Sequence, residues 1–187
     1  MTFYGSKNAN RGTNFKDIQR VFRMKLILFL VILILHTPNV SHASSPILPN
    51  ESVTPGAINP AVTQSNIQST ICVIGYTKTI RPPSSFTTKL KIKQLSTLPY
   101  SAFNDLKTAN FEEDHLISLE LGGSPDDPRN LWPEPYASAT GARVKDKAEN
   151  ALHALVCNGS MTLKTAQKAI ATNWYAAYLK YVLRPNG

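Results

Sequence analysis

The hydrophobic positions of the chain fall into regions of different period. Residues Leu26 to Leu35 form an unbroken apolar run, LILFLVILIL, with Arg20, Arg23 and Lys25 before it. A polar stretch ending Ser41-His42-Ala43 follows. A basic flank, a short apolar run and a small-x-small exit are the parts of a secretory signal. The run is also shorter than the roughly 20 residues that cross a bilayer. Residues 1–43 therefore read as an N-terminal extension and signal peptide, with Met24 as an alternative start, and no stable membrane span is expected after cleavage. Residues 44–70 are rich in Ser, Pro, Asn and Thr without apolar periodicity, and read as an extended lead-in. The segment Thr70 to Tyr76 (TICVIGY) is short and β-branched and predicts a strand.

Helical periodicity takes over in two places. Ser84 or Ser85 can cap a basic helix running to Gln94, carrying Lys89, Lys91 and Lys93. From Ala142 to Val156, the positions Val144, Ala148, Ala151, Leu152 and Leu155 make an apolar stripe near the 3.6-residue period. Asp146, Glu149, Asn150 and His153 gather on the other side, and Asn158-Gly159 supplies the stop. Thr162 can cap a further helix and Thr172 can start another, ending near Tyr181. Trp174, Tyr175, Tyr178 and Tyr181 recur three to four residues apart there, a stripe that suits core packing. Between the basic helix and the long helix lies FEEDHLISLELGGSPDDPRNLWPEP, a short apolar run broken by Gly122-Gly123, a loop with two prolines and two aspartates, and a second short segment closed by Pro133 and Pro135. The pattern predicts an α+β chain whose folded domain spans residues 71–187.

Charge changes this picture less than the headline value of +8 suggests. Residues 1–43 hold six of the 20 Lys and Arg and one of the 12 Asp and Glu, leaving 14 basic and 11 acidic residues, a net of +3. The remainder is patterned: residues 76–107 carry +5, residues 112–134 carry −6, and residues 143–184 carry +5. An acidic centre between basic flanks suits a cation site within a polyanion-binding surface. The two cysteines, Cys72 and Cys157, both follow the signal, and in an oxidising compartment they read as one disulfide. It would close a loop of about 85 residues, worth roughly 4 kcal/mol in the chain-entropy treatment. With no Cys-x-x-Cys pair, a zinc knuckle is excluded.

The residues able to do chemistry lie in the central block. Asp114-His115 precedes a Gly-Gly turn, and Asn130 comes fifteen residues after the histidine. A carboxylate can anchor a hard cation, an imidazole can take a proton from water, and an amide can clamp the loop between them.

Asp-His, apolar residues, Gly-Gly, a variable loop and Asn130-Leu131 resemble the HNH nuclease motif over about 20 residues. Across more of the chain, TPGAINPAVTQSNIQSTICVIGYTKTIRPPSS, EEDHLISLELGG, RNLWPEP and VKDKAENALH resemble a group of small exported bacterial proteins of unknown role. The HNH resemblance implies a small mixed domain with a ββα-metal core, a basic helix before it and two to three helices after it. It implies Asp114 as a ligand of one divalent ion (Mg²⁺, Mn²⁺ or Zn²⁺), His115 as general base and Asn130 as clamp. The sequence departs from the family's pattern at the helix-borne ligand: Ser138, Ala139 and Thr140 stand where many members place it. Asp146 is the preferred substitute, with Asn150 and His153 as alternatives. Lys89, Lys91, Lys93, Arg129, Arg143, Lys145 and Lys147 are the candidate phosphate contacts for DNA or RNA, held without reading sequence.

These features together imply an exported nuclease, periplasmic or secreted, hydrolysing phosphodiester bonds. A non-enzymatic exported binding module with a degenerate metal site is the alternative, and a hydrolase of an envelope polymer is a weaker third.

Overall fold

The computed structural model describes residues 1–2, 46–136 and 140–184. The chain divides into two units, Met1–His42 and Ala43–Gly187. The signal-peptide expectation lies outside the described residues, as do Ser138 and Ala139. Among the described residues, no helix is long and apolar enough to cross a membrane.

The second unit mixes helix and strand, a small α+β domain. Its helices are α1 (Tyr76–Ile80), α2 (Ser84–Leu95), α3 (Ala142–Cys157) and α4 (Leu163–Tyr178). Between α2 and α3 a two-stranded antiparallel sheet pairs β1 (Phe111–His115) with β2 (Leu131–Pro135), with Asp114 opposite Trp132 and His115 opposite Leu131. β2 tolerates Pro133 and Pro135 because the sheet has only two strands, so a missing N–H is not demanded by a second neighbour. α2 lies against the hairpin through two long polar side chains. The Lys91 ammonium donates to the Phe111 carbonyl (2.8 Å) and the Gln94 amide to that of Leu131 (2.8 Å).

The main core lies between α3, α4 and the loop after β1. Leu121, Leu152, Ala166, Ile170 and Trp174 are all sealed there. A smaller cluster joins Tyr100, Leu116 and Trp132. The aromatic stripe is core: Trp174 is fully buried and Tyr175, Tyr178 and Tyr181 pack against the main cluster. Cys72 and Cys157 are disulfide-bonded, their Cα atoms 5.6 Å apart, which ties the segment before α1 to the end of α3.

Three local expectations change. The strand expected at Thr70–Tyr76 is a run of turns. Cys72, Val73 and Tyr76 N–H groups donate to the Ile67, Thr70 and Val73 carbonyls, and Gly75 turns the backbone left-handed (φ 87°) into α1. Those short-range bonds consume the donors a strand would need. α2 starts at Ser84 itself, with extended Pro83 in the capping position and no side-chain cap. α4 runs through Thr172 and is interrupted one residue later. There Asn173 leaves helical geometry (φ −164°, ψ 93°) and its Oδ1 accepts from Ala176 N at 2.8 Å, which recaps the helix. Elsewhere the local chemistry is as expected. Thr162 Oγ1 caps α4 by accepting from Thr165 N, and left-handed Gly159 (φ 82°) ends α3.

The lead-in is held onto the loop between the strands. Gly56 N donates to Arg129 O (2.9 Å), Asn59 N to Gly122 O (2.8 Å), and Ser124 N to Ala57 O (2.9 Å). Thr54 and Tyr100 share a buried hydroxyl–hydroxyl hydrogen bond of 2.6 Å.

Candidate functional site

The site is built on the β1–β2 hairpin and its long connection. Asn130, fully buried just before β2, closes that connection. Its Oδ1 accepts from Ile117 N, while its Nδ2 donates to the carbonyls of Ile117 and Ser124, each at 2.9 Å. Every polar atom of the amide is used, so the loop ends are fixed relative to one another. Gly123 is required here for space. A Cβ would stand 1.7 Å from Ile117 O and 2.7 Å from the Asn130 amide nitrogen.

The loop so closed presents the Pro125 carbonyl to His115, which lies at the end of β1 and is buried. The His115 Nε2 is 2.9 Å from that oxygen. A carbonyl only accepts, so Nε2 carries the proton. Burial holds the imidazole pKa below its ordinary value, against the opposing pull of the Pro125 carbonyl and the Asp114 charge. His115 is thus a neutral ring with one tautomer set. Its Nδ1 has no hydrogen-bond partner among the described residues and keeps a lone pair.

Asp114 is engaged differently from the sequence expectation. Its Oδ2 accepts from the Lys145 ammonium of α3 at 2.5 Å, and that ammonium also donates to the His115 carbonyl (2.8 Å) and to Glu149. Burial, the largest single influence, would raise the Asp114 carboxyl, but the Lys145 charge and the hydrogen bonds from Glu134 and Lys145 together hold the group below the usual carboxylate range. The same partners raise Lys145 despite its burial. Glu149 is pushed up to about 8 by burial, with Lys145 opposing. Glu134 is raised well above the ordinary value by burial and the nearby Asp114 charge. Its carboxyl oxygens have no donor facing them. A protonated Glu134 resolves this, because it becomes a donor toward Asp114.

A looser set of charges surrounds this network. Glu112, Glu120 and Asp146 are each raised, first by burial and then by mutual repulsion or by Asp114. Arg81, exposed just after α1, acts electrostatically on both Glu112 and His115. The carboxyl oxygens of half-buried Glu113 are enclosed and without a donor, and burial pushes the group up to about 8.

The sequence-selected residues therefore separate. Asp114, His115 and Asn130 come together. Asp146 sits on the exposed side of α3 within reach of the Asp114 field. Asn150 donates back to the Asp146 carbonyl (2.8 Å), and His153 is held away from Asp114, its Nε2 2.9 Å from Ile71 O and its Nδ1 3.7 Å from Glu120. Of the candidate phosphate contacts, Lys89, Lys93, Arg143 and Lys147 are exposed. Lys91 is partly buried on Phe111 O, and Arg129 is paired with Asp127 at 2.5 Å. Lys145 cannot serve there: its side chain is 1% exposed and its three N–H donors are committed.

Sequence reasoning missed Glu134 and Arg81, took Lys145 for a phosphate contact and set Glu149 on the polar side of α3, whereas Lys145 and Glu149 are both buried. The buried line of α3 is Ala142, Lys145, Ala148, Glu149, Leu152 and Val156, rotated from the stripe read from apolar residues alone. Lys145 and Glu149, at i and i+4, lie on it, and their spacing to Ala148 and Leu152 was the available signal.

Cys72, His153 and Cys157 are the group of His, Cys and acidic side chains close enough together to share a metal ion among the described residues, but the two cysteines are not free. Their sulfurs are bonded to each other and offer no thiolate. No protein-family model matches the chain, and no curated protein or solved structure was found to match it.

Proposed function

We propose that the protein is an exported HNH-like hydrolase of phosphodiester bonds in DNA or RNA, with His115 as the general base. The observation that carries this reading is the buried, neutral His115, held through Nε2–H on the Pro125 carbonyl of a loop closed by Asn130. A base acting on water needs a free lone pair at neutral pH and a fixed direction, and the Nε2 anchor supplies both at Nδ1. The water proton would pass to Nδ1 as its oxygen attacks phosphorus, the P–O bond to the departing sugar oxygen would break, and that oxygen would take a proton from solvent. Arg81, the exposed cation that acts on His115, is placed to offset charge developing on the phosphate oxygens. Lys89, Lys93, Arg143 and Lys147 are the remaining candidate backbone contacts, none of which requires a particular base. The disulfide supports an oxidising compartment, periplasmic or extracellular.

The divalent ion implied by the HNH resemblance does not fit Asp114 as this structure has it, because Lys145 holds that carboxylate and Glu134 adjoins it. The same pairing favours a second reading, a non-enzymatic binding module on the same scaffold. The deciding experiment incubates purified protein with plasmid DNA and with RNA, in Mg²⁺, Mn²⁺, Zn²⁺ or EDTA, beside His115→Ala. Cleavage abolished by the substitution supports the hydrolase. Equal cleavage by the variant removes His115 as base, and no cleavage under any condition leaves the binding module.

A further inference from the structure

A ββα site of the HNH type needs a positive charge against its strand-end carboxylate, and this chain carries one within itself. The Lys145 side chain reaches from α3 to the end of β1 and is enclosed there, 1% exposed. Its three donors meet three acceptors: Asp114 Oδ2 at 2.5 Å, the His115 carbonyl at 2.8 Å and Glu149 Oε1. An ammonium has three N–H groups and no lone pair, so this set is complete and leaves nothing for a substrate. The Asp114 and Glu149 carboxyl groups are also mostly enclosed, at 17% and 10% exposure. The ammonium occupies Asp114 Oδ2 and Glu149 Oε1, so an oxygen-coordinated divalent ion here would have to displace it or share the same carboxylates with a second positive charge at close range.

We infer that the Lys145 ammonium is the resident cation of this unit, so that Asp114 is its counter-ion and not a metal ligand. Lys145 is then a positioning residue: it fixes Asp114 and the backbone of His115 in one contact, and the imidazole is aimed without a bound ion. The inference rests on the HNH-like reading above for its comparison with a metal site. The buried three-acceptor geometry stands independently of any activity.

The test uses metal binding and stability in place of catalysis. Purified wild-type protein, stripped with EDTA, is expected to melt at the same temperature in EDTA, Mg²⁺ and Mn²⁺. Crystals soaked in Mn²⁺ are expected to show no anomalous peak within coordination distance of Asp114. Lys145→Met leaves the same carboxylates facing one another without their cation. It is expected to melt lower in EDTA, to be restored in part by Mn²⁺, and to show the peak at Asp114. A Mn²⁺ peak on Asp114 in the wild type, or a wild-type melting point raised by Mn²⁺ and no longer raised in Asp114→Asn, overturns the inference. The wild-type measurements decide even if Lys145→Met fails to fold. A protein that cuts DNA only with Mn²⁺ bound at Asp114 refutes the inference and spares the hydrolase, whereas an inactive protein with the predicted metal insensitivity does the reverse.

Discussion

Removing the Asn130 amide gives the sharpest test of how the loop is held. In Asn130→Ala three hydrogen bonds of 2.9 Å are lost in a site with no exposure, and Ile117 N, Ile117 O and Ser124 O lose their partner. At a net of about 1 kcal/mol for each bond, the expected loss is about 3 kcal/mol, and more where the orphaned groups stay dry. For a domain of this size that is a fall in melting temperature of roughly 10 °C. Asn130→Asp separates hydrogen bonding from packing. It keeps the volume and the acceptor for Ile117 N, but turns a double donor into an acceptor facing two carbonyl oxygens. At neutral pH it should be at least as destabilising as alanine, and it should recover partly in acid, where a protonated carboxyl can donate once. Urea unfolding of wild type and both variants, at neutral and acidic pH, provides the measurement. The reasoning fails if Asn130→Ala costs less than about 1 kcal/mol, or if Asn130→Asp matches wild type at neutral pH.

Other consequences are equally direct. Gly123→Ala should prevent folding, since its Cβ would overlap a backbone oxygen, whereas Gly75→Ala, strained only by its positive φ, should cost about 1–2 kcal/mol, and comparing their melting curves checks this. Reducing the Cys72–Cys157 disulfide, or replacing both residues by serine, should lower stability by roughly 4 kcal/mol in denaturant titrations. Glu113 binds a proton up to a pH of about 8 in the fold and only up to about 4.5 when unfolded, so its contribution to stability is lost as pH rises between these values. Glu113→Gln should flatten that part of the melting-temperature profile and gain stability at the alkaline end. If hydrolysis is observed, the lowered His115 pKa places the acid limb of its pH–rate profile below the ordinary histidine value, and a limb above it contradicts the assignment of His115 as base.

Local signals in the chain specified much of the secondary structure. Ala142 to Val156 carries enough helical period, and Asn158-Gly159 enough stop, to define α3 nearly to its last residue. Thr162 announced α4, and the Pro-rich punctuation around Asn130 bounded β2. Thr70–Tyr76 misled because β-branched composition was weighed without its anchors, the Cys72 disulfide and the local turns that use its N–H groups. At the site, Asp114, His115 and Asn130 were legible because their order and spacing belong to one hairpin and its connection.

What the sequence by itself determined is therefore what depends on neighbours along the chain: helix period, caps, the glycine turn and the two short segments whose pairing sets Asp114 opposite Trp132 and His115 opposite Leu131. What only the tertiary structure decided is the electrostatic state of that hairpin. Lys145 lies 31 residues from Asp114, and from sequence it read as one more exposed cation on a basic flank. Packing of α3 rotates it inward, and in that low-dielectric position an ammonium must find acceptors and a carboxylate must find a cation. The partner that each chose follows from three-dimensional proximity and the cost of a bare buried charge, neither of which a linear pattern of charges contains.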